Sequence, residues 1–147
     1  MVNKLSDFLS NIERENIAQA TGTRMHKRLQ RIDINAPAAT RDTDLINKIK
    51  SCDGLIDFFG ADSAAEVPVA GIINGKFISR RIDRLCIDHQ KRLIRILDYK
   101  TDSAPDARRG LYIRQLMEYA DLLRKIHPDY QIDLYILWLH DWRLERV

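Results

Sequence analysis

Ile82-Asp83-Arg84-Leu85-Cys86-Ile87-Asp88 and Leu93-Ile94-Arg95-Ile96-Leu97-Asp98-Tyr99-Lys100 are two apolar runs joined by the polar link His89-Gln90-Lys91-Arg92, the pattern of a β-hairpin. In the second run Ile94, Ile96, Asp98 and Lys100 alternate with Leu93, Arg95, Leu97 and Tyr99. Period-two geometry therefore places Asp98 and Lys100 on the face that Ile94 and Ile96 help bury. An acid and an amine at the end of a buried strand are costly unless they pair or hold an ion. In the first run Phe77, Ser79, Arg81, Asp83, Leu85 and Ile87 share a face, so Asp83 is expected to meet Asp98 across the hairpin. Two carboxylates beside a lysine describe a hard-cation site with a basic group next to it. A strand-end ion pair between Asp98 and Lys100, with Asp83 solvated, accounts for the same residues without any chemistry.

The chain of 147 residues is of single-domain size, and its composition, 45% hydrophobic and 31% charged, is that of a folded protein rather than a disordered tail. The net charge of +3 does not by itself point to nucleic acid. Its distribution says more, because Arg80, Arg81, Arg84, Arg92 and Arg95 crowd the hairpin and Arg108, Arg109 and Arg114 follow it. Arginines next to an acidic pocket suit a phosphate-backbone ligand, and they equally suit a solvated strand edge. Cys52 and Cys86 are the two cysteines, without a CxxC pair, which argues against a disulfide scaffold, a zinc knuckle or a four-cysteine iron–sulfur cluster. The absence of a long apolar run or a basic-then-apolar leader leads to the expectation of a cytoplasmic protein without membrane association.

Apolar positions predict one helix or two short ones over about 5–20, carrying Leu5, Phe8, Leu9, Ile12 and Ile17, then a break at Thr21-Gly22-Thr23 and a further helix over 24–34 with Met25, Leu29 and Ile32. A third helix is expected over 43–59, with Gly54 marking a break inside it. Strands at about 65–73, 76–88 and 92–100 form an antiparallel meander, with Asn74-Gly75 as a type I′ turn and Pro68 pointing to an edge position. A polar loop follows Lys100, then a helix over 111–126 and a strand over 130–139, with a frayed end or short strand over 144–147. A helix between two strands is a crossover, so strands 92–100 and 130–139 should run parallel. The expected fold is a single α/β domain: a helical part over 1–60, then a mixed sheet over 64–147, an antiparallel meander plus one parallel strand, flanked by helices.

Gly22-Thr23-x-x-His26-x-x-Leu29, Glu66-Val67-Pro68, Ile82-Asp83-Arg84-Leu85, Asp98-Tyr99-Lys100-Thr101 and Gln115-Leu116-x-x-Tyr119 occur in that order. Together they resemble the RecB/AddA-type nuclease domain of the PD-(D/E)xK superfamily, in particular the carboxy-terminal nuclease domain of the AddA helicase–nuclease subunit, from about Gly22 onward. The resemblance implies a restriction-endonuclease-like core. It implies Mg²⁺, or Mn²⁺, held by His26, Asp83, Asp98 and the backbone carbonyl of Tyr99, and catalysis through Asp83, Asp98 and Lys100 supported by Gln115 and Tyr119. It also implies DNA as substrate, as single-stranded or unwound ends, with Arg81, Arg84, Arg108, Arg109 and Arg114 as the expected DNA contacts, and a helicase part and an AddB-like subunit as partners. Glu66 matches a common family glutamate without an assigned role, and Arg81 stands where many relatives have glycine. No GxxxxGK[ST] motif is present, so no ATP site is expected in this chain, and the missing cysteine set excludes the iron–sulfur relatives. The implied function is metal-dependent DNA cleavage, more exonuclease than endonuclease in kind, in double-strand break repair and end resection. The rival is a non-catalytic DNA-binding or partner-docking module of the same fold.

Overall fold

The computed structural model describes residues 4–103 and 105–147. Helix α1 runs unbroken over Lys4–Arg31, so the expected interruption at Thr21-Gly22-Thr23 is absent. Gly22 is buried within the helix, and a Cβ there would lie 2.5 Å from Cγ2 of Thr101. The glycine serves close approach of α1 to the end of a strand, not helix termination. Leu29 is fully buried, with Met25 and Ile32 beside it, whereas Leu9, Ile12 and Ile17 are exposed. The side chains of Leu5 and Phe8 lie outside the described residues.

Helix α2 (Thr43–Ser51) is capped by Asp42, whose carboxylate accepts from Leu45 N–H and from Arg28. The third helix of the sequence reading stops here. Gly54, at φ 75°, turns the chain into a separate 3₁₀ segment, Leu55–Phe59. Five strands follow: β1 (Ser63–Ile73), β2 (Lys76–Asp88), β3 (Leu93–Lys100), β4 (Gln131–Trp138) and β5 (Arg143–Arg146). They lie side by side in chain order, with β3 and β4 parallel and the other neighbours antiparallel. Asn74 and Gly75 both have positive φ, as a type I′ turn requires, and Pro68 sits on the edge strand β1. The crossover helix α3 spans Pro105–Ile126 and begins six residues earlier than periodicity indicated. Pro105 and Asp106 open it in the way proline and acids favour helix starts. Arg108, Arg109 and Gly110 therefore belong to the helix rather than to the loop.

The sheet separates two cores. On the α3 side Ile82, Leu85, Ile94, Ile96 and Ile136 pack against Leu116, Tyr119 and Leu123. On the other side Cys86, Leu97, Tyr99 and Leu137 meet Leu29, Leu45, Ile49 and Phe58. Strand β2 changes parity on the way: Ile78 and Ile82 face α3, but from Leu85 onward the odd positions do. The expected common face of Phe77, Ser79, Arg81, Asp83, Leu85 and Ile87 is thus broken at Asp83. Opposite the slip, Glu66 of β1 takes φ 54°. The β1–β2 register is the same on both sides of this point, so the two strands change parity together at Glu66 and Asp83, which re-aims a side chain where regular strands could not. Among the described residues no helix is long and apolar enough to cross a membrane.

The close contact of α1 with Thr101 is testable. Gly22→Val should destabilise the protein by about 1–3 kcal/mol through overpacking, seen as a melting point several degrees lower. Thr101→Ala in the same chain should recover part of the loss; no recovery would mean that the helix does not bear on Thr101.

Candidate active site

Strands β2 and β3 pair only from Arg84–Leu97 to Asp88–Leu93. Continuing the register would set Asp83 opposite Asp98, but the strands part there, and the N–H of Tyr99 donates instead to Oδ2 of Asp83 at 2.8 Å. The parting opens a notch at the end of the sheet, and α1 lays His26 across it. His26 Nδ1 lies 4.0 Å from Asp83 Oδ2, and its ring meets the Tyr99 ring edge-on at 5.4 Å between centroids. A groove of about 240 Å³ lined by Gln19, Gly22, Thr23, His26 and Thr101 opens beside the imidazole.

Asp98 is 2% exposed, and Lys100 Nζ stands 2.6 Å from its Oδ2. The angles are not those of a hydrogen bond, so this oxygen has a close counter-charge but no directed donor. Burial first, and then the neighbouring Asp98 charge, push the Asp83 carboxyl up to about 8. Burial also lowers the His26 imidazolium pKa, against the pull of Asp98, and so favours the neutral ring that can ligate a metal.

Lys100 is held by a relay from α3. Its Nζ donates to Gln115 Oε1 at 3.1 Å, Gln115 Nε2 donates to the Tyr119 hydroxyl at 2.6 Å, and that hydroxyl reaches the Arg81 carbonyl at 3.4 Å. Burial, ahead of Asp98, pushes the Tyr119 phenol up to about 12, so it stays a donor. Tyr112, one turn before Gln115, places its ring 4.4 Å from Lys100 Nζ and hydrogen-bonds Asp102. Sequence reading missed Tyr112, although its i, i+3 spacing from Gln115 was the available signal. Glu66 stands at the same end of the sheet, 3.7 Å from the Arg81 guanidinium, and its charge acts on His26.

The expected DNA-contacting arginines divide. Arg81, Arg108 and Arg114 are exposed. Arg84 is not: it is 5% exposed, and its guanidinium donates to the Tyr99 hydroxyl (3.0 Å), the Ser63 hydroxyl (2.8 Å) and the Leu29 carbonyl (2.8 Å) while stacking on Phe59. The Leu29 carbonyl belongs to the last turn of α1 and lacks an intrahelical donor, so Arg84 caps that helix and cannot also reach DNA. Arg109 is engaged in a two-point pair with Glu145, which also accepts from Trp138 Nε1.

A divalent cation suits this donor set by chemistry: two carboxylates, one with an undirected buried oxygen, an imidazole and a peptide carbonyl. Among the described residues no three His, Cys, Asp or Glu side chains are already gathered as a metal cluster. No protein-family model matches the chain, and no curated protein matches it in sequence.

Two expectations follow. Arg84→Met would leave three oxygens without their donor and should cost about 3 kcal/mol or more, on the order of 10 °C in melting point. An unchanged melting point would return Arg84 to the surface. In chelator, Asp83 binds its proton more tightly when folded than unfolded, so stability is fullest below its ordinary carboxyl range and is lost as pH rises towards about 8. Asp83→Asn should flatten that decline in melting temperature between acid and mildly alkaline pH. A parallel decline in both proteins would contradict the assignment.

Proposed function

We propose that this chain is a metal-dependent DNA nuclease with a restriction-endonuclease-like core of the RecB/AddA type, acting as the nuclease module of a helicase–nuclease in double-strand break repair and end resection. The carrying observation is the convergence of Asp83, Asp98, Lys100 and His26 at the notch where β2 and β3 part. The five-stranded mixed sheet with its crossover helix supports the reading, since α3 supplies the Gln115–Tyr119 relay behind the lysine.

In this reading Asp83, Asp98, His26 and the Tyr99 carbonyl would hold Mg²⁺, or Mn²⁺. The bound ion would supply a Lewis acid for the scissile phosphate and a water of lowered pKa. The side chains do the rest. Lys100, fixed by Gln115 and backed by the Tyr112 ring, directs its ammonium at the non-bridging phosphate oxygens, where charge grows in the transition state. Its present contact with Asp98 supplies the counter-charge that two adjacent carboxylates need in the metal-free protein. Neutral His26 closes the site from the α1 side. Exposed Arg81, Arg108 and Arg114 lie on elements that border the notch, where they can meet phosphates. DNA is the substrate, and a helicase part and an AddB-like subunit are the partners that would deliver it.

The test is cleavage of end-labelled single-stranded and duplex DNA in Mg²⁺, Mn²⁺ or chelator, beside metal-dependent thermal stabilisation. Cutting should require metal and fall by about 100-fold or more in Lys100→Ala, the loss typical of a removed charge-stabilising donor. Asp98→Asn should abolish the metal-induced rise in melting temperature. Stabilisation by metal without cutting would favour the non-catalytic binding module; neither effect would reject the metal-site reading.

A further inference from the structure

The β1–β2 hairpin carries a surface of which the site reading uses only Arg81. Strand β3 ends at Lys100, so β2 continues past the notch paired only with β1, through Val67–Ile82 to Ile73–Lys76. One face of this arm is occupied: Val69, Ile78 and Ile82 join the α3 core, and Arg80 pairs with Glu118 of α3. The other face is bare. Phe77 is 68% exposed and its cross-strand partner Ile72 56%, with Pro68, Ala70, Ser79 and Arg81 exposed behind them.

We infer that this bare face is a docking strip for single-stranded DNA, which it leads along β2 into the notch at Asp83. The inference rests on the nuclease reading and adds to it a binding surface. Three observations select a nucleic-acid strand as occupant. The strip is continuous with the site, because Phe77, Ser79 and Arg81 alternate on the same strand that then delivers Asp83, roughly 7 Å between successive side chains and roughly 20 Å in all. Its chemistry is that of a strand-binding surface, an open aromatic face for a base followed by a hydroxyl and a guanidinium for the backbone. Its charge suits phosphate at the end nearest the site, where exposed Arg81 lies along it with Glu66 3.7 Å away; Lys76 shares the parity of Ile78 and belongs to the α3 face instead. Duplex DNA offers no unstacked base to Phe77, so the strip favours single strands.

The test uses a fluorescein-labelled oligothymidylate of about 12 nucleotides, with binding followed by anisotropy in chelator and cleavage followed separately in Mn²⁺. Loss of one stacking contact should weaken binding about 5- to 100-fold in Phe77→Ala, while Phe77→Trp retains affinity and its indole fluorescence is quenched by the oligonucleotide. Ile126→Ala, an equally exposed apolar position on α3, should bind as the parent does. For cleavage, Phe77→Ala should raise KM and leave kcat, and the effect should vanish for oligonucleotides too short to reach from Asp83 to Phe77. Binding that depends on Phe77 without any cutting would support the strip and defeat the nuclease reading. Binding indifferent to Phe77 would overturn the strip, and cutting that persists with an unchanged KM in Phe77→Ala would overturn it while leaving the nuclease standing. No binding by the parent protein, or a self-associated parent that Phe77→Ala renders monomeric with no change in DNA affinity, would also overturn it.

Discussion

The N–H of Tyr99 donates to a carboxylate where a regular sheet would give it a carbonyl, and the rest of the site follows from that substitution. A buried peptide N–H must be paired. By taking it, the side chain of Asp83 lets β2 leave β3 without orphaning the amide. The strands can then diverge at the one place where both carry aspartates. The cost falls on Asp83, which is held close to Asp98 in a poorly hydrated pocket and therefore favours its protonated form. Such a pocket disfavours two adjacent negative charges, and Lys100 supplies part of the counter-charge.

Around the notch, each supporting element is attached by a different physical means. Helix α1 is fixed by the absence of a side chain at Gly22 and by a guanidinium at its carboxyl end. Helix α3 is fixed by its apolar stripe and contributes the amide–phenol relay. Arg84 links Tyr99, Ser63 and Leu29, and so ties β3, β1 and α1 to β2 through one side chain. His26 lies one turn before Leu29, so the same bond sets how far the imidazole reaches over the sheet.

What could be read from the sequence was whatever is encoded over short distances. Asn74-Gly75 specifies its turn by the φ values it tolerates, and the regular alternation of β3 places Asp98 and Lys100 on the α3 face as period two requires. The parallel pairing of β3 with β4 follows from the helix between them. The parity change at Glu66 and Asp83 was not legible, because no residue type announces it. Arg84 looked like one more cation in an arginine-rich segment, since its partners Leu29, Ser63 and Tyr99 lie 55, 21 and 15 residues away. Gly22 carried the local signature of a helix break, and only the approach of Thr101, far along the chain, shows that it is a contact surface. Asp83 and Asp98 were nonetheless expected to meet, because the register of the hairpin outlasts its hydrogen bonds.

The two margins of the sheet are built differently from its middle. On one side β1 carries Pro68, which offers no amide, and Glu66, whose positive φ bends the strand. On the other side β5 presents the exposed charges of Arg143 and Arg146. Proline, a local bend and charge each discourage a foreign strand from adding to an open edge. Both described borders therefore resist growth by strand addition or amyloid-like stacking, although the sheet between them is rich in isoleucine and leucine.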